Sequence, residues 1–460
     1  MKPHFNLFRA SCRSGSLLCA ATLSASALSI APASAVAANP VSIYASSMAA
    51  QSFKEVPAPA DSFVDMLGVN VHLHYTNSPY ATNYPGIKSL LLGLGARHIR
   101  DGLLNTPWQP FYDRLNDLGA SGIKSMLTTD RSQTAAELLA VPKRVTRSIE
   151  ALEGPNEQDL NYRSDPQWPQ KARAFAKLLY STEKGNAATR NLSIVGPSLS
   201  GLSADQAVGN LSAYLDVGNY HGYSGARNPG TPGWGSTSSY GTYGSIAWNI
   251  NIESVVAGSK PQQNTETGYN TGAGANGNVP MDIQAKYVPR LLLETYLHNV
   301  KRAFIFELID NTTTGSSVNS FQYGLATAGL KPKAAYIALA NLNALLSDRG
   351  AAFSRSALSY GLAGSVANVH HLLLQKRDGS YYLVMWIEAP GWLPANSPSG
   401  GGSYIRVAPQ NVTLSLPRAA RGLTLTTWNA NGSTATKALR PGATAGFAVT
   451  DNIAVLHITP

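Results

Sequence analysis

Ile149-Glu150-Ala151-Leu152-Glu153 runs into Gly154-Pro155-Asn156-Glu157-Gln158-Asp159, and helical spacing follows from Pro169 to Glu183. A short apolar run that stops at glycine and proline reads as a strand reaching its turn, and the longer amphipathic stretch after it reads as a helix. The same βα alternation recurs on both sides. Strands are predicted over Met66 to His72, Ala96 to Arg100, Ile123 to Thr128, Ile149 to Glu153, Leu192 to Gly196, Leu215 to His221, Gln262 to Glu266 and Ala303 to Glu307. Helices are predicted over Tyr84 to Leu94, Trp108 to Leu118, Gln133 to Ala140, Pro169 to Glu183, Ala204 to Tyr214, Ser245 to Ala257, Met281 to Asn299 and Pro332 to Ser347. Eight such repeats over about 280 residues match a (β/α)8 TIM barrel in count and length, whereas a doubly wound sheet rarely needs eight in a row.

The texture changes beyond Ser354. Alternating, β-branched segments at His370 to Gln375, Ser380 to Ile387, Val412 to Leu416, Leu423 to Trp428 and Ile453 to Ile458 predict a small C-terminal β-sandwich, and Asp378-Gly379 is a hairpin signal. Gly391 to Ser403 is rich in proline, glycine and serine and is expected to be a surface loop. The expected division is a leader over residues 1–35, a barrel over 36–350 and the sandwich over 351–460.

The leader rests on a basic stretch to Arg13, an apolar run from Ser16 to Ile30 and then Ala33-Ser34-Ala35, the pattern of a cleaved secretory signal peptide. Its apolar run is too short to span a bilayer comfortably, so no membrane anchor is expected and the protein is expected to be secreted or periplasmic. Both cysteines, Cys12 and Cys19, fall inside it. The mature chain would then have no disulfide, thiolate metal site or cysteine nucleophile. Of 460 residues 44% are hydrophobic and 13% charged, which excludes a disordered chain or a coiled coil. The 36 basic residues exceed the 26 acidic ones, but three lie in the leader and the rest form no dense run, so no nucleic acid partner is expected.

In such a barrel the residues that end the strands converge on one mouth. Strand four ends in Asn156-Glu157 and strand seven in Thr265-Glu266. The two glutamates are 109 residues apart, three βα units of about 36 residues each. Carboxyl groups facing each other across a mouth can flank a glycosidic bond, one protonating the leaving oxygen and one attacking the anomeric carbon, with no metal or cofactor. Strand two ends His98-Ile99-Arg100-Asp101, and Arg100 beside Glu266 would favour an ionised carboxylate. The competing reading pairs Arg100 with Asp101. His72 and His74 at the end of strand one share a face; with no third ligand at zinc spacing, sugar contacts are expected rather than a metal. Glu307 at strand eight is the main rival of Glu266 and is expected otherwise to bind a hydroxyl or to sit behind the residues that touch the sugar, and Glu153 is expected to lie deeper than Glu157. Trp108, Trp168, Trp234, Tyr240, Tyr243 and Tyr269 are candidate stacking surfaces, Trp234 to Tyr243 lying in a long insertion, Ser224 to Gly244, after strand six.

The Asn156-Glu157 and Thr265-Glu266 pairs resemble the signatures of clan A glycoside hydrolases, retaining (β/α)8 enzymes that include family 39 and the family 5 cellulases. The resemblance implies that Glu157 is the acid/base, that Asn156 hydrogen-bonds a sugar 2-hydroxyl and that Glu266 is the nucleophile. His221-Gly222-Tyr223 is similar to the His-x-Tyr that the clan places beside the nucleophile, which implies that His221 contacts sugar or carboxylate and Tyr223 orients Glu266. A small β-sandwich after the barrel is similar to what family 39 carries. The expected function is retaining hydrolysis of a poly- or oligosaccharide. An exported barrel that binds carbohydrate without cutting it, and a transglycosylase using the same two glutamates, stay open.

Overall fold

The computed structural model describes residues 50–161, 164–272, 277–310, 322–394 and 402–460; the expected leader, with Cys12 and Cys19, lies outside them. Eight parallel strands form one sheet: β1 (Leu67–Asn70), β2 (His98–Gly102), β3 (Lys124–Thr128), β4 (Ile149–Glu153), β5 (Ser193–Val195), β6 (Gly218–His221), β7 (Gln262–Thr267) and β8 (Arg302–Ile305). They are hydrogen-bonded in the order β5-β4-β3-β2-β1-β8-β7-β6. A parallel bridge from Val195 to Val217 joins the two edges and closes the barrel. Helices α1 (Tyr84–Leu94), α2 (Gln109–Ala120), α3 (Ala135–Arg144), α4 (Trp168–Gly185), α5 (Leu202–Val208), α6 (Ile246–Ala257), α7 (Met281–Leu297) and α8 (Ala334–Leu346) follow their strands in turn.

Alternation along each strand sends one set of side chains outward to the helices and the other into the barrel. Val69, Ile99, Leu127, Leu152 and Ile194 are buried in the outer layer, whereas Met126, Ala151, Val195, Val217 and Phe304 form a small apolar plug of their own. The inward residues then turn polar towards the C-terminal ends, at Asn70, Arg100, Glu153, Asn219 and Thr265, all buried. The plug carries the fold and the polar layer carries the site. One helix stops well short of its expected end. The segment read as Ala204 to Tyr214 is helical only to Val208, because Gly209 takes φ +70°, and resumes as a 3-10 turn at Ser212–Tyr214.

The sandwich pairs two mainly antiparallel sheets. Strands β9 (Leu358–Gly364), β10 (Val369–Gln375), β11 (Tyr381–Ile387), β12 (Gln410–Ala420), β13 (Gly422–Trp428), β14 (Thr434–Leu439), β15 (Gly442–Val449) and β16 (Ala454–Thr459) make up most of it. The remainder comes from residues upstream of the barrel. Gln51–Glu55 pairs antiparallel with β9, and Ala58–Pro59 pairs parallel with β10. Residues 51–59 sit in the segment that sequence assigns to the barrel, yet they complete sheets of the sandwich. Strand β11 is buried on both faces. Leu383, Met385 and Ile387 enter the sandwich core, while Tyr382, Val384 and Trp386 join the core shared with the barrel. Trp428 donates from Nε1 to Ala338 O of α8 at 3.0 Å, so barrel and sandwich share buried polar as well as apolar contacts. Among the described residues no helix is long and apolar enough to cross a membrane.

Candidate active site

The polar layer is a single hydrogen-bonded unit centred on Arg100. Its Nε and Nη2 donate to Glu153 Oε2 and Oε1 at 2.6 and 2.8 Å, and Nη1 donates to Asn70 Oδ1 at 2.9 Å. Asn219 Nδ2 adds a third donor to Glu153 Oε1 at 2.9 Å, and Thr265 Oγ1 donates to Asn219 Oδ1 at 2.6 Å. Burial opposes the charge of Arg100, but the facing Glu153 and Glu266 carboxylates outweigh it and raise the guanidinium above its ordinary value. The deep Glu153 is therefore the arginine's structural counter-ion, and Asp101 is not. Asp101 instead accepts from Leu73 N at 2.9 Å and lies 2.6 Å from His74 Nδ1.

The same guanidinium reaches the next layer up. Nη1 donates to Glu266 Oε1 and Nη2 to Asn156 Oδ1, each at 2.7 Å, which fixes the orientation of the Asn156 amide. Tyr223 Oη donates to Glu266 Oε2 at 3.2 Å. His221 Nδ1 stands between the two glutamates, 3.0 Å from Glu157 Oε1 and 3.6 Å from Glu266 Oε2. One oxygen of each glutamate and one ring nitrogen of His221 lie within 4.8 Å of one another. They are also, among the described residues, the one group of three or more such side chains compact enough to hold a metal ion; His72 and His74 do not belong to it.

Glu157 is brought here by its turn. A Cβ on Gly154 would lie 2.6 Å from Pro197 N, so only glycine lets the chain leave β4 this close to β5. Three residues later Glu157 itself takes φ +41°, a left-handed conformation that is uncommon for a residue with a side chain. Its N–H donates to Ser198 O and to Ser198 Oγ, both at 3.1 Å, which holds the conformation in place.

Burial alone would push the Glu157 carboxyl up. The His221 hydrogen bond and charge, helped by Arg100, outweigh burial and bring it below its ordinary 4.5. The converse holds for His221: burial pulls it down, but the Glu266 charge and then the Glu157 hydrogen bond raise it above 6.5. A group raised on folding stabilises below its unfolded value and loses that contribution as pH climbs through its folded value; a lowered carboxyl stabilises above its unfolded value. Both conditions hold together between about pH 4.5 and 6.5. His221→Gln should therefore lower the thermal midpoint most inside that window, with the deficit shrinking at alkaline pH; a deficit independent of pH in calorimetry would contradict the charge coupling.

The remaining expected site residues divide. His72 Nε2 pairs with Glu307 Oε2 at 3.1 Å at the same mouth, and burial holds the Glu307 carboxyl above its ordinary value despite that histidine. Arg100 pairs with Glu266, and Glu307 has His72 instead. Tyr269 is not at the surface of the mouth: it is 1% exposed, donates to Arg227 O at 3.0 Å and packs on Tyr287, so it supports the loop after β6 from beneath. Trp234 lies 4.2 Å from the Arg227 guanidinium and edge-on to Tyr243 at 5.5 Å, so its described contacts are within its own loop. Asn70, Asn219 and Ser198 were not singled out from sequence. Asn219 shares a strand face with His221, and Asn70 stands two residues before His72, so alternation does point to both; Ser198 acts through a turn and leaves no such signal.

No family model matches the chain, and no curated protein matches it. Solved structures match it by fold. A family 39 glycoside hydrolase from the gut symbiont Bacteroides cellulosilyticus WH2 is 16% identical, with a TM-score of 0.57 over 88% of this chain and 83% of that one. A glucosidase from Croceicoccus marinus is 10% identical, with a TM-score of 0.58 over 88% and 97% of the two chains. An arabinofuranosidase is likewise 10% identical, with a TM-score of 0.52 over 88% and 98%. Over 88% of its length, the chain has a fold similar to that of a family 39 glycoside hydrolase, the architecture that its two glutamate motifs suggest.

Proposed function

We propose that the chain is an exported retaining glycoside hydrolase acting on a poly- or oligosaccharide, with Glu266 as nucleophile and Glu157 as acid/base. The observation that carries this reading is the approach of the two carboxylates to within 4.8 Å at the mouth, with Arg100 on Glu266 and His221 on Glu157. A separation of about 5 to 5.5 Å lets one carboxyl attack the carbon whose leaving oxygen the other protonates; inversion needs about 6.5 to 9.5 Å to admit a water. Glu266 forms a bond to the anomeric carbon as the glycosidic C–O bond breaks, and the leaving oxygen takes a proton from Glu157. Water then attacks the glycosyl ester, gives its proton back to Glu157 and releases Glu266. Export is supported by the basic, apolar and small-residue pattern of residues 1–35.

A general acid at neutral pH ordinarily needs a carboxyl raised above its usual range, yet in the free site Glu157 is lowered. The resolution lies in the hydrogen bond to His221, which lets the two side chains hold one proton between them. The Glu266 charge is the largest influence raising His221. Esterification removes that charge, so the pair's hold on the proton weakens as it is donated and strengthens again when the carboxylate returns.

Glu157→Gln should lower turnover about 10²- to 10⁴-fold on glycosides with poor leaving groups, and much less on those with an activated aryl group, which departs without a proton. The direct test treats the protein with a panel of 2-deoxy-2-fluoro glycosyl fluorides and maps the labelled peptide. A label on Glu266 is the expected result. Binding of glycans with no label and no release of reducing sugar would leave a non-hydrolytic carbohydrate-binding barrel, and products longer than the starting glycan would indicate transglycosylation.

A further inference from the structure

A second buried network lies away from the catalytic carboxylates, where the barrel meets the sandwich. Glu388 directly follows β11, and its side chain is 2% exposed. Arg290 of α7, fully buried, donates to it from Nε at 3.0 Å and pairs with it through Nη2, 2.8 Å from Oε1, and Trp386 Nε1 donates at 2.9 Å. These contacts pair the charge and belong to the domain junction. Two more donors do not. Asn228 Nδ2 and Gly230 N reach Glu388 Oε1 at 2.7 and 2.9 Å, and both belong to the loop between β6 and α6. The approach is so close that a Cβ on Gly230 would lie 2.6 Å from Glu388 Cγ and 3.0 Å from Glu294 Cδ. That loop leaves β6 at His221 and carries Tyr223, the hydrogen-bond partner of Glu266, five residues before Asn228. The Arg227 carbonyl, next to Asn228, is capped by Tyr269.

We propose that Glu388 of the sandwich is a positioning residue for the active-site mouth: it pins the loop after β6 at Asn228 and Gly230, and so holds Tyr223 against Glu266. A sandwich carboxylate thereby takes part in setting the geometry of a barrel nucleophile. The kinetic part rests on the glycosidase reading; the mechanical part does not.

The probe variant is Asn228→Asp, which sets a carboxylate against Glu388 at the loop and leaves the Arg290–Glu388 pair in place. Gly230→Ala is the second, since it forces the loop off Glu388 without touching any charge. Hydrogen exchange of the full chain should show backbone amides of residues 223–232 exchanging about tenfold faster in both variants, while α7 stays protected. With the 4-nitrophenyl glycoside that the wild type hydrolyses fastest, kcat should fall about tenfold with KM little changed. Tyr223→Phe in the Asn228→Asp background should add almost nothing, because both act on one contact. Unchanged loop exchange, or losses that simply multiply in the double variant, would overturn the proposal. If the wild type hydrolyses no glycoside in the panel, the glycosidase reading fails, and loop exchange alone decides whether Glu388 pins the loop.

Discussion

Glu266→Gly is expected to reduce kcat by about 10⁴-fold or more, because under the proposed mechanism it deletes the atom that forms the covalent bond and not merely a group that steadies it. Folding should survive the change. Arg100 keeps Glu153 as a partner on two nitrogens, and the vacated space opens to the mouth, where the Glu266 side chain is 14% exposed. Two readouts separate a lost nucleophile from general damage. Azide should restore part of the turnover by attacking the anomeric carbon from the emptied side, and the glycosyl azide formed should have the opposite anomeric configuration to the wild-type product, as proton NMR would show. Glu307→Gly, the parallel change at the rival carboxylate, should keep the retaining stereochemistry and respond to no azide, since Glu307 is tied to His72 and, among the described residues, has no arginine paired with it. If Glu307→Gly were the variant that azide rescues, the assignment of the nucleophile would be wrong.

The largest expected effect on stability is at Arg100. Arg100→Met would leave Glu153, fully buried, without its cation, a change that costs about 3 to 5 kcal/mol of unfolding free energy. Asn219 and Thr128 would still donate to Glu153, but neutral donors do not replace a bidentate guanidinium. Adding Glu153→Leu should return a good part of the loss, because replacing both members of a buried pair by apolar groups is far less costly than orphaning one. Urea unfolding of the two singles and the double gives the cycle directly. Activity should stay low in all three, since Glu266 and Asn156 have lost the donor that orients them. A double variant no more stable than Arg100→Met would show that the pair itself is not what the barrel depends on.

The barrel was legible because its strands repeat one physical event, a short apolar run ending at a polar mouth. Ile149 to Glu153 is found at its expected bounds, and the others differ mostly at their ends. The same alternation exposed Arg100, the resemblance to the clan's His-x-Tyr pointed to His221 and Tyr223, and the spacing of βα units brought Glu157 and Glu266 together. What escaped had no apolar signature. Thr434–Leu439 is an edge strand exposed along most of its length, and Gly442–Val449 and Leu358–Gly364 are built on glycine and small residues, so neither period stood out. Gln51–Glu55 is a polar edge strand inside a lead rich in proline, alanine and serine. Tyr269 misled for a different reason: a tyrosine just past a strand end can face the mouth or turn beneath a loop, and only the path of the chain decides. The lowered Glu157 was out of reach as well, because it depends on a histidine 64 positions away.

Gln51 pairs with Leu362 and Glu55 with Leu358, with the whole barrel between them. During synthesis this upstream ribbon has nothing to dock on until some three hundred further residues have been made, so assembly is bound to a late, long-range closure of the kind that folds slowly. The barrel is in effect an insertion within the sandwich, and a fragment trimmed to the barrel alone would both lose Tyr382, Val384 and Trp386, which cover the barrel's side of the junction, and leave two ribbons without partners. Nicking the connection near Pro57 should for that reason loosen β9 and β10, the strands that the ribbon pairs with, before it disturbs the mouth.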